Sequence, residues 1–153
     1  MAEIERIRDQ FRRGWDGDAW HGTPLRQLLR DVSAAQAHVR PIPESHTIAE
    51  IVSHLAYWKK AVCERMAGAL VLPTHDEQWP AVRDGEAGWR EALSLLETRH
   101  QQLMEALAQL NDEQLSNPVA GKDYDVYILL HGVLQHELYH AGQIALLKRA
   151  VHP

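Results

Sequence analysis

Apolar residues recur at spacings of three and four along most of this 153-residue chain, and no stretch alternates with period two. Spacings of three and four place apolar side chains on one face of a helix, whereas alternation is typical of a half-buried strand. The sequence therefore predicts an all-α protein. Its length favours a single domain over residues 1–153, since a chain of about 150 residues suits one hydrophobic core.

The first helical region is interrupted. An apolar stripe ends near residue 16, in a segment that contains several glycines. Thr23-Pro24 is a typical helix start, with proline at the first helical position. We expect this second piece to continue until the Pro41 and Pro43 pair, because neither proline can extend a helix.

Three longer helices follow. Thr47-x-x-Glu50 matches a capping box, and Asp125 is a suitable N-cap for the last helix. The predicted helices cover residues 48–68, 86–110 and 126–150.

Four amphipathic segments predict a four-helix bundle. The link over residues 69–85 would reach about 55 Å when extended, which exceeds the roughly 30 Å length of the helix before it. The link is therefore long enough for a crossover that leaves helices 2 and 3 parallel.

Helical geometry places three histidines on apolar faces. His136 and His140 lie four residues apart and project from one apolar face of the fourth helix. His54 shares the apolar face of the second long helix with Ile51 and Trp58. Buried imidazoles need a partner for each nitrogen, and one metal ion could supply a partner to all three. We predict these histidines as metal ligands; the alternative is that they are hydrogen-bonded core residues.

His136-Glu137-x-x-His140 also matches the helix signature of zinc proteases, in which the glutamate is a general base. Such enzymes usually take a third ligand from downstream. No Asp or Glu follows His140, and the glycine and histidine of the metzincin extension are both missing. We therefore expect the third ligand upstream, at His54. Glu137 is a candidate base, and a solvated surface charge is its alternative role.

Other side chains fall near the ligand faces. Glu50 lies one turn before His54 and is a candidate to orient a ligand or act as a base, although it could merely cap the helix with Thr47. Cys63, the single cysteine, lies opposite His54 on the helix and is not expected to be a ligand. The candidate pocket residues are Tyr57, Trp58 and Tyr139.

The remaining histidines are not expected at the site. His100 shares an apolar stripe and is expected in the core or at its rim. His131 lies about 140° away from His136 around the fourth helix and is not expected to be a ligand. The other five are expected on the solvated surface: His21, His38, His46, His75 and His152.

Charge and hydropathy exclude some partners. The formal net charge of −5 disfavours nucleic acid, whose binding depends on basic side chains. No apolar run approaches the roughly 20 residues of a membrane span, and the N-terminal sequence lacks the layout of a signal peptide. We expect a cytoplasmic protein with neither membrane nor nucleic-acid partners.

Three segments together resemble one known family. They are AWHGTPLR with PIP, at 19–26 and 41–43, HTIAEIVSHLAYW at 46–58, and LHGVLQHELYHAGQI at 130–144. In these segments the chain resembles the DinB-like (YfiT-like) superfamily of four-helix-bundle metalloproteins. The resemblance implies the up-down-down-up bundle and a divalent metal, commonly zinc, nickel or iron, at His54, His136 and His140. It also implies frequent homodimers.

Some members of the family that this chain resembles are thiol-dependent transferases or isomerases that use bacillithiol, mycothiol or glutathione. Three protein ligands leave a coordination position open, as catalytic metals require. We therefore expect metal-dependent transfer of a low-molecular-weight thiol to a small electrophile. The alternatives are a metal-dependent hydrolase of a small substrate and a non-catalytic metal-binding or stress-response bundle.

Overall fold

A computed structural model describes residues 1–151 of the chain; His152, expected on the surface, lies outside them. The described residues form seven α-helices and one 3-10 helix, with no strand. The α-helices are α1 (Glu3–Asp16), α2 (Leu25–Leu29), α3 (Ala34–His38), α4 (Ile48–Met66), α5 (His75–Gln78), α6 (Gly85–Ala108) and α7 (Val126–Val151), and the 3-10 helix covers Asp112–Ser116. The all-helical prediction is confirmed.

Both helices that carry the candidate ligands start at the predicted caps. The Thr47 hydroxyl accepts a hydrogen bond from the Glu50 amide at 3.1 Å, and the Glu50 carboxylate accepts one from the Thr47 amide at 2.8 Å. At the start of α7, the Asp125 carboxylate accepts from the Ile128 amide at 2.9 Å. These bonds satisfy amides that have no partner within the helix, so the starts of α4 and α7 are set locally.

The region before α4 differs from the prediction. Instead of one helix running to Pro41, the chain forms the short helices α2 and α3. The break has a local cause, because Ser33 and Gln36 form a capping box of their own: the Gln36 amide donates to the Ser33 hydroxyl at 3.2 Å, and the Ser33 amide donates to the Gln36 side chain at 2.9 Å. Ser33 thereby starts a new helix.

Two clusters of buried apolar residues form the core. One joins α2 and α3 to the N-terminal part of α4, to Trp89 of α6 and to the C-terminal part of α7. The other joins α1, including Phe11, to the C-terminal parts of α4 and α6 and the N-terminal part of α7. The long helices α1, α4, α6 and α7 are consistent with a bundle. Their up-down-down-up order stays a prediction. The way the ends of these helices divide between the two clusters favours that order.

None of the helices described over residues 1–151 combines the length and the apolar character needed to cross a membrane.

Candidate metal centre

The structure brings the three predicted ligand histidines together between α4 and α7. The Nε2 atom of His136 lies 3.0 Å from Nε2 of His54 and 3.0 Å from Nε2 of His140. Within the described residues, one potential ligand atom from each histidine lies within 4.8 Å of the others. His54 and His140 are about 95% buried, with 4% and 5% of their surface exposed. The arrangement could hold one metal ion.

The outer nitrogens of two of these rings have hydrogen-bond acceptors. His54 Nδ1 lies 2.6 Å from the Gln78 carbonyl oxygen, which can only accept, so Nδ1 carries the proton. His140 Nδ1 lies 2.6 Å from Oε1 of Gln143, one turn further along α7. Protonation at Nδ1 leaves the Nε2 lone pair of each ring directed at the centre, as in metal-binding histidines.

The donor set itself fits a cation. With protons on Nδ1 of His54 and His140, both of their Nε2 atoms present lone pairs to His136 Nε2. His136 Nε2 can donate one proton to one of them, so hydrogen bonding alone leaves one 3.0 Å pair of nitrogens without a proton between them. A divalent ion removes this conflict because it accepts all three lone pairs. Imidazole nitrogens about 2.0–2.1 Å from zinc are typical of such sites.

The pKa values agree with neutral ligands. Burial, opposed by the hydrogen bond to Gln78, lowers the pKa of His54 to about 4. Burial and the neighbouring imidazoles lower the pKa of His136 to about 3, and burial also lowers the pKa of His140. Near pH 7 the three rings are therefore neutral, the form that binds metals.

A tryptophan from the loop after α5 covers His54. The rings of Trp79 and His54 stack with centroids 3.8 Å apart, and the other face of Trp79 stacks on His46 at 3.5 Å. His46, expected in solvent, is therefore a partly buried member of this stack. Because Gln78 ends α5 and Trp79 follows it, one short segment both fixes the His54 tautomer and shields its ring.

The three predicted pocket residues lie in different positions. Trp58 contacts the centre edge-on, with its ring 6.4 Å from that of His54 and 6.0 Å from that of His136. Tyr139 is 65% exposed, with its ring 5.2 Å from that of His140. Tyr57 packs edge-on against Trp58, with ring centroids 5.7 Å apart. Of the three predicted pocket residues, Trp58 is therefore the one whose ring contacts two ligand histidines.

Glu50 is occupied by other partners. Besides capping α4, its carboxylate accepts from Arg40 at 2.6 Å and lies 3.3 Å from His46 Nδ1. The hydrogen bonds to Thr47 and Arg40 lower the pKa of Glu50 against the opposing effect of its partial burial. The structure therefore shows the capping role, while a role as ligand orienter or base stays a prediction.

Glu137 does not lie on the surface, and that alternative role is wrong. It is buried and forms an ion pair with Lys59, also buried. Lys59 Nζ lies 3.3 Å from Nδ1 of His100, whose ring stacks on Trp15 at 4.2 Å. The other carboxylate oxygen of Glu137, Oε1, has no hydrogen-bond partner among the described residues. This polar cluster occupies the core beside the α7 ligands, and His100 belongs to it as a core residue.

Cys63 is half-buried and packs at the edge of the second apolar cluster. Burial raises the pKa of its thiol, so the thiol is less reactive than an exposed one.

Sequence reasoning missed several residues at the centre. Gln143 follows His140 by three residues, so helical spacing could have identified it. Gln78 and Trp79 follow Thr74-x-x-Glu77, a capping box that could have predicted α5 but not its contact with His54. Lys59 was missed because a lysine beside Lys60 resembles a solvated pair, although helical geometry turns the two side chains to different faces.

Comparison with known proteins gives one solved structure with a similar fold, a crystal structure of the conserved protein of a locus from Enterococcus faecalis. It aligns with a TM-score of 0.63 and 18% sequence identity over 97% of this chain and 92% of that chain. At this identity the likeness concerns the fold alone. No curated protein matches the sequence. The family model of the DinB superfamily matches residues 19–144, which include all three histidines. Because that match spans most of the sequence, the chain belongs to the DinB superfamily.

Proposed function

We propose that this protein is a divalent-metal-dependent enzyme that transfers a low-molecular-weight thiol to a small electrophile. The observation that carries the proposal is the convergence of three neutral histidines, two of which, His54 and His140, already have their outer nitrogens paired. Three protein ligands leave room for an exogenous ligand, which distinguishes a catalytic site from a closed structural one. Zinc, nickel and iron are the metals proposed.

Each residue of the centre has its own proposed role. His54, His136 and His140 would hold the ion, while Gln78 and Gln143 orient two of the rings. A bound divalent ion supplies a positive charge that lowers the pKa of a nearby thiol. In the overall reaction the sulfur forms a bond to the electrophilic carbon, the leaving group departs with its electron pair, and the thiol proton is released to solvent.

A groove beside the centre would admit the electrophile. It has a volume of about 280 Å³ and is lined by His136, Trp58 and apolar residues of α7. A larger cavity of about 710 Å³ is lined by residues such as His21, Leu138 and Lys148 and includes none of the three histidines. We assign the substrate to the smaller groove because it is the one that reaches a ligand histidine.

The partners proposed with this function are a small-molecule substrate and a second copy of the chain as a homodimer. We also propose a cytoplasmic location and no nucleic-acid partner. These proposals rest on the family resemblance, the net charge and the apolar pattern of the sequence.

Metal analysis tests the centre. We would measure bound metal by elemental analysis of untagged protein, comparing the wild type with His54→Ala and His136→Ala after offering zinc, nickel and iron. His131→Ala is the matched control, because His131 lies on α7 outside the trio and packs against Tyr127. We expect about one ion per chain in the wild type and control, and loss of that ion in both site variants. Wild-type metal affinity in His54→Ala would contradict the three-histidine centre.

Thiol consumption tests the activity. The same samples would be mixed with bacillithiol, mycothiol or glutathione and a chlorodinitrobenzene, and thioether formation would be followed by absorbance. We expect turnover that requires metal, disappears in His136→Ala and persists in His131→Ala. Metal binding without turnover of any of the three thiols would favour the non-catalytic alternative. Metal-dependent cleavage of an ester probe instead would favour a hydrolase.

A further inference from the structure

We infer that the groove beside His136 is a carboxylate-binding subsite, in which Arg65 and Tyr124 hold the anionic end of a substrate with an apolar body. The inference deepens the proposed function and rests on it for the reaction at the metal end. Binding at the Arg65 end depends only on residues that the structure describes.

Arg65 has unused hydrogen-bond donors. It is 5% exposed and lines the groove. Its Nη1 donates to the Tyr124 hydroxyl at 3.2 Å, and its Nη2 donates to the Val71 carbonyl at 2.9 Å. Nε is buried and has no partner among the described residues. A guanidinium has five N–H donors, so this group retains capacity for another acceptor.

The charge of Arg65 is not balanced by an acid. Over residues 1–151, no carboxylate lies within 4.0 Å of its guanidinium nitrogens, whereas seven other arginines have such a partner. A buried charge without a counter-charge is costly unless a ligand supplies one. A carboxylate would complete the pairing and could also accept from the Tyr124 hydroxyl, whose oxygen already accepts from Arg65.

Trp58 connects the two ends of the groove. The Arg65 guanidinium lies over the Trp58 indole in a cation–π contact, with Cζ 5.2 Å from the ring centroid. The centroid of the same indole lies 6.0 Å from that of the His136 ring. Arg65 follows Trp58 by seven residues on α4, an axial rise of about 10 Å. The wall between the two ends is apolar and is formed by Val62, Ile128, Leu129 and Val133, with Gly132.

These features define a class of ligand. The groove fits a slender molecule with a carboxylate at one end and an aliphatic or aromatic body that lies along Trp58, whose ring is 5.2 Å from Arg65 Cζ and 6.0 Å from the His136 ring. With the carboxylate at Arg65, the far end of such a molecule lies beside His136. We therefore assign the electrophile to the class of medium-chain carboxylates that react at the end remote from the acid.

Calorimetric titration of the metal-loaded protein with hexanoate and its neutral counterpart hexanamide tests this subsite. We expect one hexanoate site per chain and at least tenfold weaker binding of hexanamide. Affinity should increase about three- to fourfold for each methylene from butyrate to octanoate, because the added carbons contact the apolar wall.

Variants locate the carboxylate. Arg65→Met should weaken hexanoate at least tenfold and hexanamide little, and Tyr124→Phe should weaken hexanoate severalfold. Arg90→Met is the matched control, since Arg90 is exposed on α6 and pairs with Glu86, and it should bind like the wild type. If Arg65→Met does not fold, the subsite is tested by comparing hexanoate with hexanamide on two proteins, the wild type and Tyr124→Phe.

Chelated protein separates this inference from the proposed function. Hexanoate binding that persists after metal removal and still depends on Arg65 supports the subsite even if no thiol turnover is found. Equal affinity for hexanoate and hexanamide overturns it. So does hexanoate binding that requires the metal and is unchanged in Arg65→Met, because the carboxylate would then be a metal ligand.

Discussion

Replacement of Lys59, the buried ion-pair partner of Glu137, should destabilise the protein. Lys59→Met replaces a buried ammonium with an apolar side chain of similar length and leaves the Glu137 carboxylate in the core. Because Glu137 Oε1 already lacks a partner among the described residues, Lys59 is the group that compensates the carboxylate. Stranding one partner of a buried ion pair costs about 3–5 kcal/mol. We expect the upper half of that range.

The reverse change should be milder. In Glu137→Leu the Lys59 ammonium keeps the acceptor His100 Nδ1 at 3.3 Å and the Trp15 ring at 5.5 Å. We therefore expect about 3 kcal/mol for this variant. The double variant, which removes both charges, should lie within about 1 kcal/mol of the wild type, because an apolar pair of similar volume can replace a buried ion pair. The double change would then cost far less than the sum of the single changes.

Urea unfolding of chelated protein at pH 7 would measure these differences, with far-ultraviolet circular dichroism as the signal. At about 2–4 °C per kcal/mol, Lys59→Met should also lower the melting temperature by about 10 °C or more. Lys60→Met is the matched control: it removes an exposed partner of Glu64, and we expect a change below about 1 kcal/mol. A Lys59→Met variant no less stable than Lys60→Met would refute the reasoning. Such a result would mean that water reaches the Lys59–Glu137 ion pair.

Three further predictions concern pH, metal and backbone. Burial, and then the charge of Lys59, lowers the pKa of His100 to about 3 in the folded chain, whereas the ordinary value is 6.5. As the pH falls, His100 is therefore protonated in the unfolded chain at a higher pH than in the folded chain. The contribution of neutral His100 to stability is lost as the pH falls from about 6.5 towards 3. His100→Gln should reduce the slope of unfolding free energy against pH by up to about 1.4 kcal/mol per unit, and an unchanged slope would contradict this assignment. Metal at about a hundredfold excess over its Kd should stabilise the wild type by about 2.7 kcal/mol in calorimetric melting, and the gain should be absent in His136→Ala. An added Cβ on Gly88 would lie 1.7 Å from the Arg83 carbonyl oxygen, whereas one on Gly142 meets no atom within 4 Å. Gly88→Ala should therefore destabilise the chain by at least about 2 kcal/mol, and Gly142→Ala should stabilise it by about 0.5–1 kcal/mol. Equal urea midpoints for the two variants would show that the clash at Gly88 is relieved.

Helix starts and the faces of α4 and α7 could be predicted from the sequence. The capping box at Thr47 and the N-cap at Asp125 act over three residues, so their outcome does not depend on the rest of the fold. Helical periodicity likewise placed His54, His136 and His140 on inward faces. The break before α3 was missed even though Ser33 is a local signal of the same kind.

Which inward faces meet was decided by tertiary structure. Periodicity orients a side chain relative to its own helix, but it does not specify the neighbour across the interface. The pairing of Lys59 with Glu137 joins residues 78 positions apart, and the contact of Arg65 with Tyr124 joins residues 59 positions apart. The Gln78 carbonyl reaches His54 only because the end of α5 packs against α4. Local spacing therefore determined the helices and the inward histidines, whereas the packing of distant segments decided what surrounds them.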